Sequence, residues 1–168
     1  MTTMQKRYRR QRPNGFTLME LLIVISIMLI LMLLAVPSYK KFRIHSNELS
    51  AISSLKTIQQ AQMMYQTNYK RVGYACDMKS LGGDDAAKST STSSGMIPGD
   101  LATGSKDGYR FTVACPSKTD DSAPNVTYTV QALPASVGST GNRGFCMDES
   151  GTVKDDPQGG TNCSEIAQ

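Results

Sequence analysis

The chain has 168 residues, room for one compact domain plus an extension and little more. Its net charge of +4 is a composite: Lys6, Arg7, Arg9, Arg10 and Arg12 all precede Gly15 with no acid among them. Setting those five aside leaves 13 of the 18 basic residues against 14 acidic ones, a formal charge of −1, so the basic balance gives no reason to expect nucleic-acid binding by the folded part.

Residues 1–15 form a short basic leader that ends Arg12-Pro13-Asn14-Gly15. The next 21 residues, Phe16 to Val36, contain only Thr17, Glu20 and Ser26 as polar side chains. Roughly 20 apolar residues at about 1.5 Å each span a bilayer, so 16–36 is expected to be a transmembrane helix. A basic run directly before such a span is a cytoplasmic anchor under the positive-inside rule. Pro37 follows at once and predicts a kink or local melting, because proline removes a donor and clashes with the preceding turn.

Helical periodicity resumes over 37–73. Ala51, Leu55, Ile58, Gln62, Tyr65 and Tyr69 recur at intervals of three and four, flanked by Leu49 and Ile52. That pattern predicts an amphipathic helix with one face to bury, stopping near Gly73. If the two helical stretches are continuous, Phe16 to Tyr69 is one rod about 80 Å long. Met63, Met64 and Tyr74 are read, with Tyr65 and Tyr69, as core on the sheet side.

Residues 74–108 are read as a variable loop region; from Gly82 to Gly108 the Gly, Ser, Thr and Asp content predicts no regular structure. Residues 109–168 read as a small sheet. Tyr109–Val113 and Val126–Val130 alternate with period two, and Gly144–Met147 with Thr152–Lys154 predict a hairpin around Asp148-Glu149-Ser150-Gly151. The expected fold is α+β: a long N-terminal α-helix, transmembrane then amphipathic, packed on a three- to four-stranded antiparallel sheet.

Cys76, Cys115, Cys146 and Cys163 all lie beyond the apolar segment, in even number and widely spaced. Disulfides on an exported side fit this better than a zinc site. Three connectivities are open; Cys146–Cys163 is favoured, with Cys76–Cys115 following by elimination. His45 is the single histidine, so a Ser-His-Asp triad has no second base to draw on and no catalytic residue is assigned. Asp148, Glu149, Asp155 and Asp156 could ligate calcium, but their spacing matches no binding loop, and they are read as solvated turn acids.

The stretch Gly15-Phe16-Thr17-Leu18-Met19-Glu20-Leu21-Leu22-Ile23-Val24 closely resembles the N-terminus of type IV pilins and pseudopilins. Pro37 and the second amphipathic helix also sit where that family places them, and the resemblance covers about residues 6–65. It implies cleavage between Gly15 and Phe16 by a prepilin peptidase and N-methylation of Phe16. It further implies that Glu20 sets filament register by pairing with the Phe16 amine of its own chain or a neighbour. An acid inside an apolar span marks a functional site by default, which agrees.

The implied role is structural, without enzymatic activity or cofactor. The subunit waits as a single-pass protein of the bacterial inner membrane, its C-terminal domain on the exported side. An assembly ATPase and an inner-membrane platform protein then draw it into a helical homo-oligomeric filament. A type II secretion pseudopilin shares the motif and is the first alternative. A signal-anchored periplasmic binding or enzymatic domain, including one released by an ordinary secretory signal cut near Ala35, is the second.

Overall fold

Leu18–Asn68 form one helix, α1, of 51 residues. The structure, a computed structural model, describes residues 15–83, 89–116 and 123–167, without the side chains at 34–38 and 165. The basic leader residues 1–14 lie outside the described residues. The chain divides into two units, with the boundary after Tyr39.

The first unit holds the apolar half of α1. Every described large apolar side chain from Leu18 to Leu33 is exposed, from 82% at Leu18 to 43% at Val24. Among the described residues, no helix is long and apolar enough to cross a membrane. The helical run with described side chains, Leu18–Leu33, rises roughly 24 Å, short of the ~30 Å hydrocarbon layer. The backbone of α1 stays helical through Pro37, so the local melting expected there is absent.

The second unit pairs the rest of α1 with a sheet. After α1 come α2 (Met78–Leu81) and α3 (Gly99–Ala102), then β1 (Ser105–Lys106), β2 (Tyr109–Ala114) and β3 (Thr129–Pro134). β4 (Gly144–Asp148), β5 (Val153–Asp156) and β6 (Glu165–Ile166) complete the chain. The six strands lie in sequence order and every neighbouring pair is antiparallel, a simple meander. This exceeds the three or four strands expected, because the short edge strands β1 and β6 are too brief to show a periodicity of two. The Gly82–Gly108 stretch carries α3 and β1, contrary to expectation.

Alternation explains which strand faces are buried. Tyr109, Phe111 and Val113 of β2 point inward, as do Val130 and Ala132 of β3 and Phe145 and Met147 of β4. The second predicted strand is displaced: β3 begins at Thr129, and Val126 is exposed. Facing the sheet, α1 buries Ala51, Leu55, Ile58, Gln62 and Tyr65 at spacings of three and four, the pattern read from sequence, with Ala61 buried beside them. Tyr69 and Ile52 are half-buried at the margin. Leu49, Met63 and Met64 turn outward instead; the stripe is narrow, and residues one position off it leave the face by about 100°.

Polar groups in this core are matched. Gln62 is fully buried, yet its amide donates to the Ala75 carbonyl at 2.8 Å and accepts from the Ala75 N–H at 2.9 Å, as a strand neighbour would. Gly73, at φ +82°, lets the chain turn back after α1; a Cβ there would lie 2.2 Å from the Asn125 carbonyl oxygen. Disulfides join Cys76 to Cys115 and Cys146 to Cys163, with Cα separations of 5.0 and 5.9 Å. The first fastens the turn after α1 to the end of β2, and the second fastens β4 to the C-terminal segment.

A three-residue ionic cluster fixes the helix to the sheet. Glu48 on α1 and Asp155 on β5 are buried, and Arg143 binds both, each at 3.1 Å. Glu48 Oε1 also accepts the N–H groups of Asn142 and Arg143, and the guanidinium stands 5.4 Å over the Phe145 ring. Two of the four acids read as solvated are therefore not: Asp155 pairs with Arg143, and Asp156 accepts the N–H groups of Gln158 and Asn162. Arg143→Met strands two buried carboxylates and is expected to cost about 3–5 kcal/mol. Urea unfolding of the detergent-solubilised protein measures this, and a change below about 1 kcal/mol would show that water reaches the cluster freely. Ile58→Ala, which opens a cavity at the centre of the helix face, is expected to cost about 2–5 kcal/mol in the same assay.

Candidate functional site: the start of the first helix

Gly15 and Phe16 precede α1, outside any helix or strand, and are exposed. A Cβ added at Gly15 would meet nothing within 4 Å. This fold therefore sets no steric demand for glycine there, and any such demand must come from whatever acts on the junction.

Thr17 and Glu20 close the helix end reciprocally. Oε2 of Glu20 accepts the Thr17 N–H at 2.9 Å and the Thr17 hydroxyl at 2.8 Å. The same hydroxyl oxygen accepts the Glu20 N–H at 3.2 Å. A threonine before the first helical residue and a glutamate three positions on make a capping box, which satisfies N–H groups that have no partner within the helix. The carboxylate also sits at the positive end of the helix dipole.

Within its own chain the Glu20 carboxylate thus has a hydrogen-bonding partner three residues upstream, in Thr17. The Thr-x-x-Glu spacing could have revealed this, but the apolar run around it drew the reading towards the Phe16 amine, of its own chain or a neighbour. Among the described residues no donor reaches Oε1, so one carboxylate oxygen is held while the other can accept a second group. Ser26, the remaining polar side chain of this stretch, donates back to the Ile23 carbonyl at 2.8 Å.

The other sequence-singled residues do not assemble into a reactive centre. His45 is exposed on α1, and the four cysteines are all in disulfides, so no thiol is free to act with it. Among the described residues, no group of three or more His, Cys, Asp or Glu side chains converges on a point. Asp148 accepts the Ser150 N–H at 2.9 Å, and hydrogen bonding from Ser150 holds its carboxyl below the usual carboxylate range. Glu149 is exposed.

Removing the cap hydroxyl tests this arrangement. Thr17→Val keeps the shape of the side chain, loses both hydroxyl bonds, and is expected to cost about 1 kcal/mol of helix stability at this end. Amide hydrogen exchange of Leu18 to Leu22 in detergent should quicken about fivefold, while Thr17→Ser stays near the native rate; equal rates for all three would dismiss the cap.

Residues 10–36 match the family described as the prokaryotic N-terminal methylation motif. No curated protein matches the chain, and no solved structure matches it. The N-terminal segment thus carries the leader signature of type IV pilins and pseudopilins.

Proposed function

We propose that this chain is a prepilin: a membrane-held precursor cleaved after Gly15, methylated on the new Phe16 amine and polymerised through α1 into a type IV pilus-like filament. The observation that carries this reading is the apolar wall from Leu18 to Leu33, exposed all round the helix and interrupted only by Glu20 and Ser26, both bonded locally. Burying one Leu or Ile side chain is worth about 1.5–3 kcal/mol relative to water, so such a wall has to be covered. Lipid covers it while the subunit is stored; the 21-residue run from Phe16 to Val36 has the length for that role. Copies of the same helix cover it in the filament, where packing against protein replaces packing against acyl chains.

Glu20 fits the assembly step. Thr17 occupies Oε2, and an incoming or resident Phe16 amine takes Oε1, giving each subunit one axial position at which the charge is neutral. Pro37 provides the point at which α1 bends. Prepilin peptidase, an assembly ATPase and an inner-membrane platform protein are the partners this reading requires, with no catalytic role for the chain itself. Pseudopilins of type II secretion carry the same motif; the extended C-terminal part with its two disulfides favours the pilus reading.

Mass spectrometry of the mature N-terminus tests the proposal: methylated Phe16 is expected, and a chain beginning near Pro37 or retaining Met1 defeats it. Gly15→Val should accumulate unprocessed precursor, although the fold itself has space for the side chain. Glu20→Ala should leave processing intact and lower filament yield at least about tenfold, since a lost ion pair in hydrocarbon exceeds the ~1.4 kcal/mol of a tenfold change. Native filament yield from that variant would make the carboxylate dispensable.

A further inference from the structure

The second unit opens with a turn of helix whose chemistry differs from everything around it. Lys40, Lys41, Phe42 and Arg43 are consecutive and exposed, Phe42 at 71%. At about 100° per residue they divide the circumference of α1 with no gap wider than about 100°, and together they occupy only about 4.5 Å of its length. Among the described residues none of the three cations is in an ion pair. The nearest following acid, Glu48, is buried and bound to Arg143, and the nearest preceding one is Glu20.

We propose that Lys40, Lys41 and Arg43 bind the phosphate groups of anionic lipids in the exported leaflet, with Phe42 seated among the headgroups; this rests on the reading of 16–36 as a membrane span. Two features single out a bilayer surface. The cations share one thin layer of the helix, comparable with the roughly 5–8 Å that headgroups add on each side of the hydrocarbon. A duplex would instead be met by cations repeated along the length of a helix, and no further cation follows before Lys56. The belt also begins four residues after Val36, where a helix leaving hydrocarbon meets phosphate, and long basic side chains lay their methylenes on the apolar side while the charge stays in the polar layer. While the leader is attached, its five cations outnumber these three and fix orientation. Once it is removed, the belt is the main electrostatic hold on the stored subunit, and assembly has to strip lipid from it.

The full chain is reconstituted in nanodiscs of phosphatidylcholine mixed with phosphatidylglycerol, and the lipid retained through detergent exchange is quantified by mass spectrometry. Enrichment of the anionic lipid roughly fivefold above that of the Lys40→Gln, Lys41→Gln, Arg43→Gln triple variant, which keeps the five leader cations, is expected, the equivalent of one surface cation's attraction. Restoration in a charge-preserving Lys40→Arg, Lys41→Arg, Arg43→Lys variant supports the belt. Insertion with equal enrichment in the wild type and the glutamine variant overturns the belt alone, whereas failure of the wild type to insert overturns the span as well. Loss of enrichment on adding inorganic phosphate or a DNA duplex at matched ionic strength reassigns the cations to a free anion or to nucleic acid, and likewise overturns it.

Discussion

A helix can turn only one stripe towards one sheet, and α1 uses that stripe between Ala51 and Tyr65. Everything else in the second unit is arranged around this contact. The meander supplies a flat apolar face from alternate residues of β2, β3 and β4, and Gln62 lets a polar side chain remain within the stripe by imitating a strand neighbour. The apolar residues nearer the start of α1 have no such sheet. They are hydrophobic on every side, and from Leu18 to Leu33 every described large apolar side chain is exposed, which is the physical reason for reading them as a surface made for other molecules.

The Glu48–Arg143–Asp155 cluster complements the apolar contact. Hydrophobic faces can slide past one another at modest cost, whereas a guanidinium shared by two buried carboxylates has one good geometry. Arg143 also places its backbone N–H on Glu48, and its carbonyl accepts the Tyr109 hydroxyl at 2.8 Å. One residue thus ties the helix to β4, β5 and β2 together. That geometry holds this part of the helix in one register against the sheet.

Much of this was legible in the sequence, and the exceptions have physical causes. The three-and-four spacing of Ala51, Leu55, Ile58 and Tyr65 is a strong signal because burial repeats it over several turns. The placement of Leu49, Met63 and Met64 was missed because hydrophobicity alone does not say how wide a stripe is. β1 and β6 were invisible, since two residues cannot display alternation. Asp155 was taken for a turn acid because its partner Arg143 lies 12 positions away in sequence, and Glu48 lies 95 positions from that arginine. At the N-terminal site Gly15, Phe16 and Glu20 were evident, while the role of Thr17 depended on a four-residue spacing whose meaning is local geometry.

The knot between Thr17 and Glu20 has a bearing on the cleavage proposed after Gly15. Both of its residues lie on the C-terminal side of the Gly15–Phe16 bond. Severing the peptide there would release the leader without unravelling the first turn behind the cut. The new terminus at Phe16 would then stand two residues ahead of an already wound turn, with its ammonium four residues from a carboxylate that Thr17 holds in place.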